Sequence, residues 1–193
     1  MVKTTDFSRP MPPRALDRPV VTDGLVNCSA ARLYSLGRNN WVPNNPTLPI
    51  VLYEDVTGAL GTPEEYEDFV EANGWIPQWR DLGIFTYHHY HTVHEVLGVL
   101  RGYAVFVLGG DGGPQIHLRK GNVLALPAGT AHLQQFASED FLLIGAYTPD
   151  HPDWDDVVAS PSLRQRDRLA RLNAPATDPT SGRGGFLSRL WAD

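Results

Sequence analysis

From residue 84 to about 148 the apolar positions fall in short runs: "IFTYHHYH", "EVLGVLRG", "YAVFVLGG", "PQIHLRKG", "NVLALPAG" and "DFLLIGAY". Each is rich in β-branched or aromatic residues, with Gly, Pro or Asp at its ends, which is the texture of strands joined by turns. Closely spaced strands without intervening helices predict an antiparallel sandwich or barrel, so the fold class is all-β, or mainly β. "LGGDGGPQ" reads as a glycine-rich hairpin loop, and it lacks the strand–loop–helix context of a phosphate cradle. Upstream, "PIVLYEDV" reads as a further strand. The helical period is clearest over residues 62–73, "TPEEYEDFVEAN", where Tyr66, Phe69 and Val70 form a short apolar stripe. Thr62 is placed to cap that helix, Pro63 to occupy its first position and Glu65 to complete a T-x-x-E box, with Gly74 as its stop.

The flanks have a different pattern. Residues 1–45 are rich in proline and charge and predict an irregular arm, with the β domain over 46–150. Residues 151–193 predict an extension that packs on the domain or on a partner subunit. In it "SLRQRDRLARLN" reads as a basic surface helix, and Leu187, Leu190 and Trp191 in "FLSRLWAD" as an apolar anchor. Edge strands of such sandwiches invite pairing, so a homodimer is expected.

Composition narrows the partners. A net charge of −6 gives no basic excess to neutralise phosphates, which argues against a nucleic-acid surface. Cys28 is the only cysteine, so no internal disulfide can form. The opening residues lack the apolar core of a secretory signal, and no run approaches the ~20 apolar residues that span a bilayer, so no membrane partner and a cytoplasmic location are expected.

The chemistry lies in "GIFTYHHYHTVHEVLGVLRG", residues 83–102, which holds four of the seven histidines. In an extended chain alternate side chains share a face, so His89 and His91 point together and Glu95 has the same parity. A further donor comes from "GNVLALPAGTAHLQQF", where His132 follows a Pro–Ala–Gly turn. Three imidazoles and one carboxylate suit a divalent transition metal with nitrogen and oxygen donors: Fe, Mn, Ni, Co or Zn. The plain alternative is a set of exposed histidines on one wet strand. His94, Tyr87, Gln134 and Tyr147 are candidates to orient the ligands or line a pocket, whereas His88, His117 and His151 read as surface or packing histidines.

The two segments resemble the paired motifs of the cupin superfamily. The pattern G-x5-H-x-H-x3-E-x6-G is met by Gly83, His89, His91, Glu95 and Gly102. The pattern G-x5-P-x-G-x2-H-x3-N is met by Gly121, Pro127, Gly129 and His132, with Phe136 in place of the final asparagine. The resemblance implies a jelly-roll β-barrel, a metal at its centre, and His89, His91, Glu95 and His132 as ligands. It implies no particular reaction. The leading expectation is an enzyme, dioxygenase or isomerase-like, acting on a small polar molecule that chelates the metal. The alternative is a metal-dependent binding or sensing protein without turnover.

Overall fold

The computed structural model describes residues 19–56, 61–149 and 155–192. Antiparallel strands dominate. A seven-stranded sheet has the order β1(Val20–Val21), β2(Ala30–Tyr34), β3(Ile50–Glu54), β8(Val123–Leu126), β5(Glu95–Arg101), β10(Leu142–Tyr147), β4(Ile76–Asp81). A three-stranded sheet has the order β7(Gln115–Arg119), β6(Tyr103–Leu108), β9(His132–Ala137). The class is mainly β, as the pattern of short runs predicts. The two sheets face each other without joining into one hydrogen-bonded barrel.

Strand alternation separates two cores. Leu97, Val99, Leu124, Leu126 and Leu143 point inward and meet Phe106, Leu108 and Ile116 of the smaller sheet. The intervening positions Val96, Val123, Ala125, Ile144 and Ala146 point outward and are covered by helices. Here α1(Pro63–Ala72) buries Tyr66 and Val70, each worth about 1.5–3 kcal/mol relative to exposure. Its capping box forms as expected: Thr62 Oγ1 accepts from Glu65 N–H, and Glu65 Oε2 accepts from Thr62 N–H. The Tyr66 ring lies on Gly98, where a β-carbon would come within 2.0 Å of it. Glycine on β5 therefore sets how closely the helix approaches.

Two expectations are corrected. Residues 19–45 are not an irregular arm, because β1 and β2 add two strands to the large sheet; residues 1–18 lie outside those described. A short five-residue strand, "AARLY", paired between β1 and β3, gives too little alternation to stand out from its polar surroundings. Likewise "IFTYHHYH" is not a regular strand. It is extended chain held by single bridges, His89 to His132 and Tyr90 to Val157. The parity of His89 and His91 survives because extended backbone alternates whether or not a full ladder forms, whereas Glu95 follows a bend at Thr92–Val93 and is placed by the start of β5.

The C-terminal extension folds back on the outer face. The helix α2(Leu163–Arg171) is capped by Ser162 and Gln165 and buries none of its residues, as expected of a surface helix made mostly of arginine and other polar side chains. A two-strand ribbon, β11(Thr177–Asp178) with β12(Gly182–Arg183), leads to α3(Phe186–Leu190). Leu187 and Trp191 are buried against the outer core, and Trp191 Nε1 donates to Pro49 O at 2.9 Å. Expectations for the boundary at 150/151 and for His151 fall outside the described residues.

Candidate metal centre

At one end of the inter-sheet core a group of buried polar side chains replaces the leucines. His89 and His91 arrive on the extended segment before β5, Glu95 opens β5, and His132 opens β9. His132 is delivered by a turn closed by Thr130 N–H donating to Pro127 O, with Gly129 at φ +86°. That left-handed position is why the turn carries glycine. Gly129 N–H donates to His91 O at 2.8 Å, which locks the two histidine segments together. Asn44 adds a second lock: its Oδ1 accepts from Ala131 N–H, and its amide donates to Gly37 O and Gly109 O.

His89, His91 and His132 are all buried, and one ring nitrogen from each lies within 4.8 Å of the others. Their orientation is fixed from behind. His89 Nδ1 donates to Tyr87 O at 3.3 Å, His91 Nδ1 to Asp155 O at 2.6 Å and His132 Nδ1 to Thr130 O at 3.2 Å. A carbonyl only accepts, so each Nδ1 carries the proton and each Nε2 is left for an electrophile. Glu95, 1% exposed, sits beneath: Oε1 is 3.4 Å from His91 Nε2 and Oε2 is 3.4 Å from His132 Nε2.

The two carboxylate oxygens differ. Oε1 accepts from Tyr147 OH at 3.0 Å, and that hydroxyl accepts from Trp79 Nε1 at 2.8 Å. Oε2 is buried and accepts no hydrogen bond among the described residues. A buried carboxylate oxygen without a donor is costly unless a cation completes it. The three imidazoles therefore form a group suited to a divalent ion, and Glu95 lies beside two of them, His91 and His132, rather than inside the same cluster of ring nitrogens.

Charge follows the same arrangement. Burial, reinforced by its imidazole neighbours, pushes His132 down to about 3 and lowers His89 as well. Burial opposes charge on His91 too, but the Glu95 carboxylate beside it wins and lifts it to about 9. Burial alone would raise Glu95; the imidazoles, His91 foremost, hold it down at about 2. Burial and the Glu95 charge push the Tyr147 hydroxyl well above the usual phenol range, so it remains a neutral donor.

A cavity of about 560 Å³ opens onto His89 and His91, with Trp79, Ile84, Phe85 and Tyr147 among its walls. Of the residues named from sequence as pocket candidates, Tyr147 is in the cavity wall and touches Glu95. Tyr87 contributes its carbonyl to His89 while its ring stacks on Phe85, exposed at the rim. Gln134 works indirectly: its Oε1 accepts from Ile84 N–H and pins the loop that lines the cavity. His94 is not part of the group. It faces the outer core, accepting from Ala128 N–H at Nδ1, donating to Asn173 O from Nε2 and lying 5.0 Å from Trp191. His88 turns toward Asp111, 3.8 Å away. His117 is exposed on β7, and Phe136 stands exposed beside Tyr103.

Sequence reading did not find Trp79, Asn44, Asp155 or Asp156. Asp155 reaches the site from the C-terminal extension: its carbonyl holds His91 and its Oδ1 accepts from Thr92 N–H and Oγ1, both at 2.8 Å. Asp156 Oδ1 is 3.5 Å from His91 Nδ1. Trp79 is reached through Gly145, where a β-carbon would lie 2.2 Å from the indole. A glycine inside the strand-like "DFLLIGAY" was the available signal for such a close approach.

Fold and site together define a mainly-β, two-sheet protein with a buried three-histidine group suited to a metal ion. The chain belongs to the family of the uncharacterized protein YjlB of Bacillus subtilis (strain 168), with which it is 34% identical over 153 residues, 78% of this chain and 90% of that one. No protein-family model matches the chain. Among solved structures it is similar to the acireductone dioxygenase of Bacillus anthracis with cadmium in its active centre, at 16% identity and TM-score 0.32 over 56% of this chain and 54% of that one. It is also similar to the DMSP lyase DddQ of Ruegeria pomeroyi, at 18% identity and TM-score 0.33 over 58% of this chain and 43% of that one. The matched region thus spans about half the length of these two structures. Among the described residues no helix is long and apolar enough to cross a membrane.

Proposed function

We propose that this protein is a cupin metalloenzyme, dioxygenase or isomerase-like, that holds one divalent transition metal on His89, His91, His132 and Glu95 and acts on a small metal-chelating molecule. The observation that carries this reading is the buried oxygen Glu95 Oε2, which accepts no hydrogen bond among the described residues and lies beside imidazoles whose Nδ1 atoms are all committed to carbonyls. Four protein ligands leave positions for substrate or water on a five- or six-coordinate ion, which is the mark of a working rather than a purely structural site. Bound there, the ion supplies a Lewis acid and, if redox-active, one-electron chemistry.

The chain's own groups do the rest. Trp79 and Tyr147 fix Glu95 through two consecutive hydrogen bonds on the Oε1 side, so Oε2 would be the oxygen free to hold an ion. The backbone carbonyls of Tyr87, Thr130 and Asp155 hold the imidazole planes. Trp79, Ile84 and Phe85 keep the cavity wall apolar, which lowers the local dielectric and strengthens every charge interaction inside.

The test is elemental analysis of untagged protein prepared without chelators. Wild type should carry near-stoichiometric transition metal, and His91→Ala should lose it while its far-UV circular dichroism is retained. Oxygen uptake after anaerobic Fe(II) loading, with a panel of chelating substrates, then separates oxygenase from isomerase. Wild type and His91→Ala holding equally little metal after reconstitution would overturn the reading.

A further inference from the structure

The cavity in front of the histidines has an uneven chemistry. Trp79, Leu82, Ile84 and Phe85 give it apolar walls, and its formally charged groups besides the histidines are two carboxylates, Asp81 and Asp156. No lysine or arginine lines it among the described residues. The cation carried by the same strand, Arg80, is directed instead at α1, where it pairs with Glu64 at 2.7 Å and approaches Glu67 at 3.6 Å. A volume of about 560 Å³ is ample for a ring-sized molecule.

Accepting the metal reading above, we infer that the ligand of this site has an apolar ring-sized body, one metal-chelating oxygen pair, and no second anionic group. The reasoning is charge accounting within one cavity. A dication held by Glu95 keeps a net charge of about +1, which one chelating monoanion neutralises. Any further carboxylate or phosphate on the ligand would stand beside Asp81 and Asp156, both exposed to solvent, with no ammonium or guanidinium among the described lining residues to receive it, and like charges repel even across water at close range. A neutral body loses nothing there, and an ammonium gains. The indole and phenyl walls favour an apolar body over a hydroxylated one. Dicarboxylates, phosphorylated sugars and nucleotides are therefore the wrong class.

The experiment uses the full chain loaded with Co(II), whose stoichiometry is measured first. Hydroxamates then serve as probes sharing one chelating group: acetohydroxamate, benzohydroxamate, para-aminomethylbenzohydroxamate and para-carboxybenzohydroxamate. Affinity is read by calorimetry and by the visible bands of the cobalt. The ring should improve binding over acetohydroxamate about tenfold or more, and the ammonium probe should exceed the carboxylate probe by about tenfold or more. Asp156→Asn and Asp81→Asn should each narrow that second gap. Asp81→Asn carries this arm if Asp156→Asn loses cobalt, because Asp156 lies close to His91. If cobalt is bound in full and the carboxylate probe matches the ammonium probe, or the ring brings no gain, this inference falls while the metal reading stands. If cobalt is not bound at all, both fall.

Discussion

Among the described residues two carboxylates are sealed inside this protein, Asp178 and Glu95, and they are treated in opposite ways. Asp178 is 0% exposed, and both of its oxygens are saturated. Oδ1 accepts from Thr180 N–H, Thr180 Oγ1 and Ser181 N–H, while Oδ2 accepts from Tyr53 OH at 2.6 Å and Leu187 N–H at 2.7 Å. Glu95 is equally buried but receives one hydrogen bond, on Oε1, and leaves Oε2 directed at His132. Neutral donors that surround a buried anion make a rigid joint, here between the C-terminal extension and the outer face of the sheet. A buried anion left partly bare among imidazoles makes a place for a cation. Burial alone does not tell these apart; the count of donors on each oxygen does.

The largest effect should come from breaking the joint. Asp178→Ala strands five donors and should destabilise the fold by about 3–5 kcal/mol in urea denaturation, without lowering the metal content of the fraction that remains folded. Glu95→Gln is the converse. The metal-free variant should unfold at about the wild-type urea concentration, but the stabilisation added by metal should disappear, about 2.7 kcal/mol at a hundredfold excess over Kd. Equal losses in both variants, or metal loss in Asp178→Ala alone, would show that the distinction between joint and site is mistaken.

Smaller changes sharpen the comparison. Tyr147→Phe removes the hydroxyl donor on Glu95 Oε1 and lets the carboxylate rotate, so metal affinity should fall about tenfold with an altered cobalt spectrum, and Tyr53→Phe should leave that spectrum unchanged. The gentlest test is pH. With His91 lifted to about 9, His132 pushed down to about 3 and His89 lowered as well, the metal-free group holds one proton beyond the three on Nδ1 at neutral pH, on His91 Nε2. The ion must displace that proton, so affinity should rise about tenfold per pH unit from 7 toward 9 and then level off, with about one proton released per ion at pH 7. Calorimetry in buffers of different ionisation enthalpy measures it; no proton release would contradict the His91–Glu95 pairing.

Much of this was legible along the chain. The helix at 63–72 announced itself through Thr62, Pro63 and Glu65, because capping is chemistry between residues three apart. The parity of His89 and His91 was readable because extended chain alternates, even where the expected strand is only a pair of bridges, while the bend at Thr92–Val93 leaves the facing of Glu95 to β5. The second strand of the large sheet was not legible, since "AARLY" gains its hydrogen bonds from β3, about twenty residues later. His94 was misleading for a related reason. One position from Glu95, it shares the neighbourhood in sequence but the opposite face in space.

By itself the sequence determined the class of fold, the segments that carry the donors and the parity that lets them converge, because each depends on spacing along the backbone. Only the tertiary structure decided which carboxylate is saturated and which is open, that Trp79 and Tyr147 secure Glu95, and that a carbonyl from the C-terminal extension fixes His91. The contacts that secure Glu95 and His91 join groups 52 to 68 positions apart, and Tyr53 reaches Asp178 across 125. No local periodicity carries that information; it appears when packing brings the partners within hydrogen-bonding distance in a medium that excludes water.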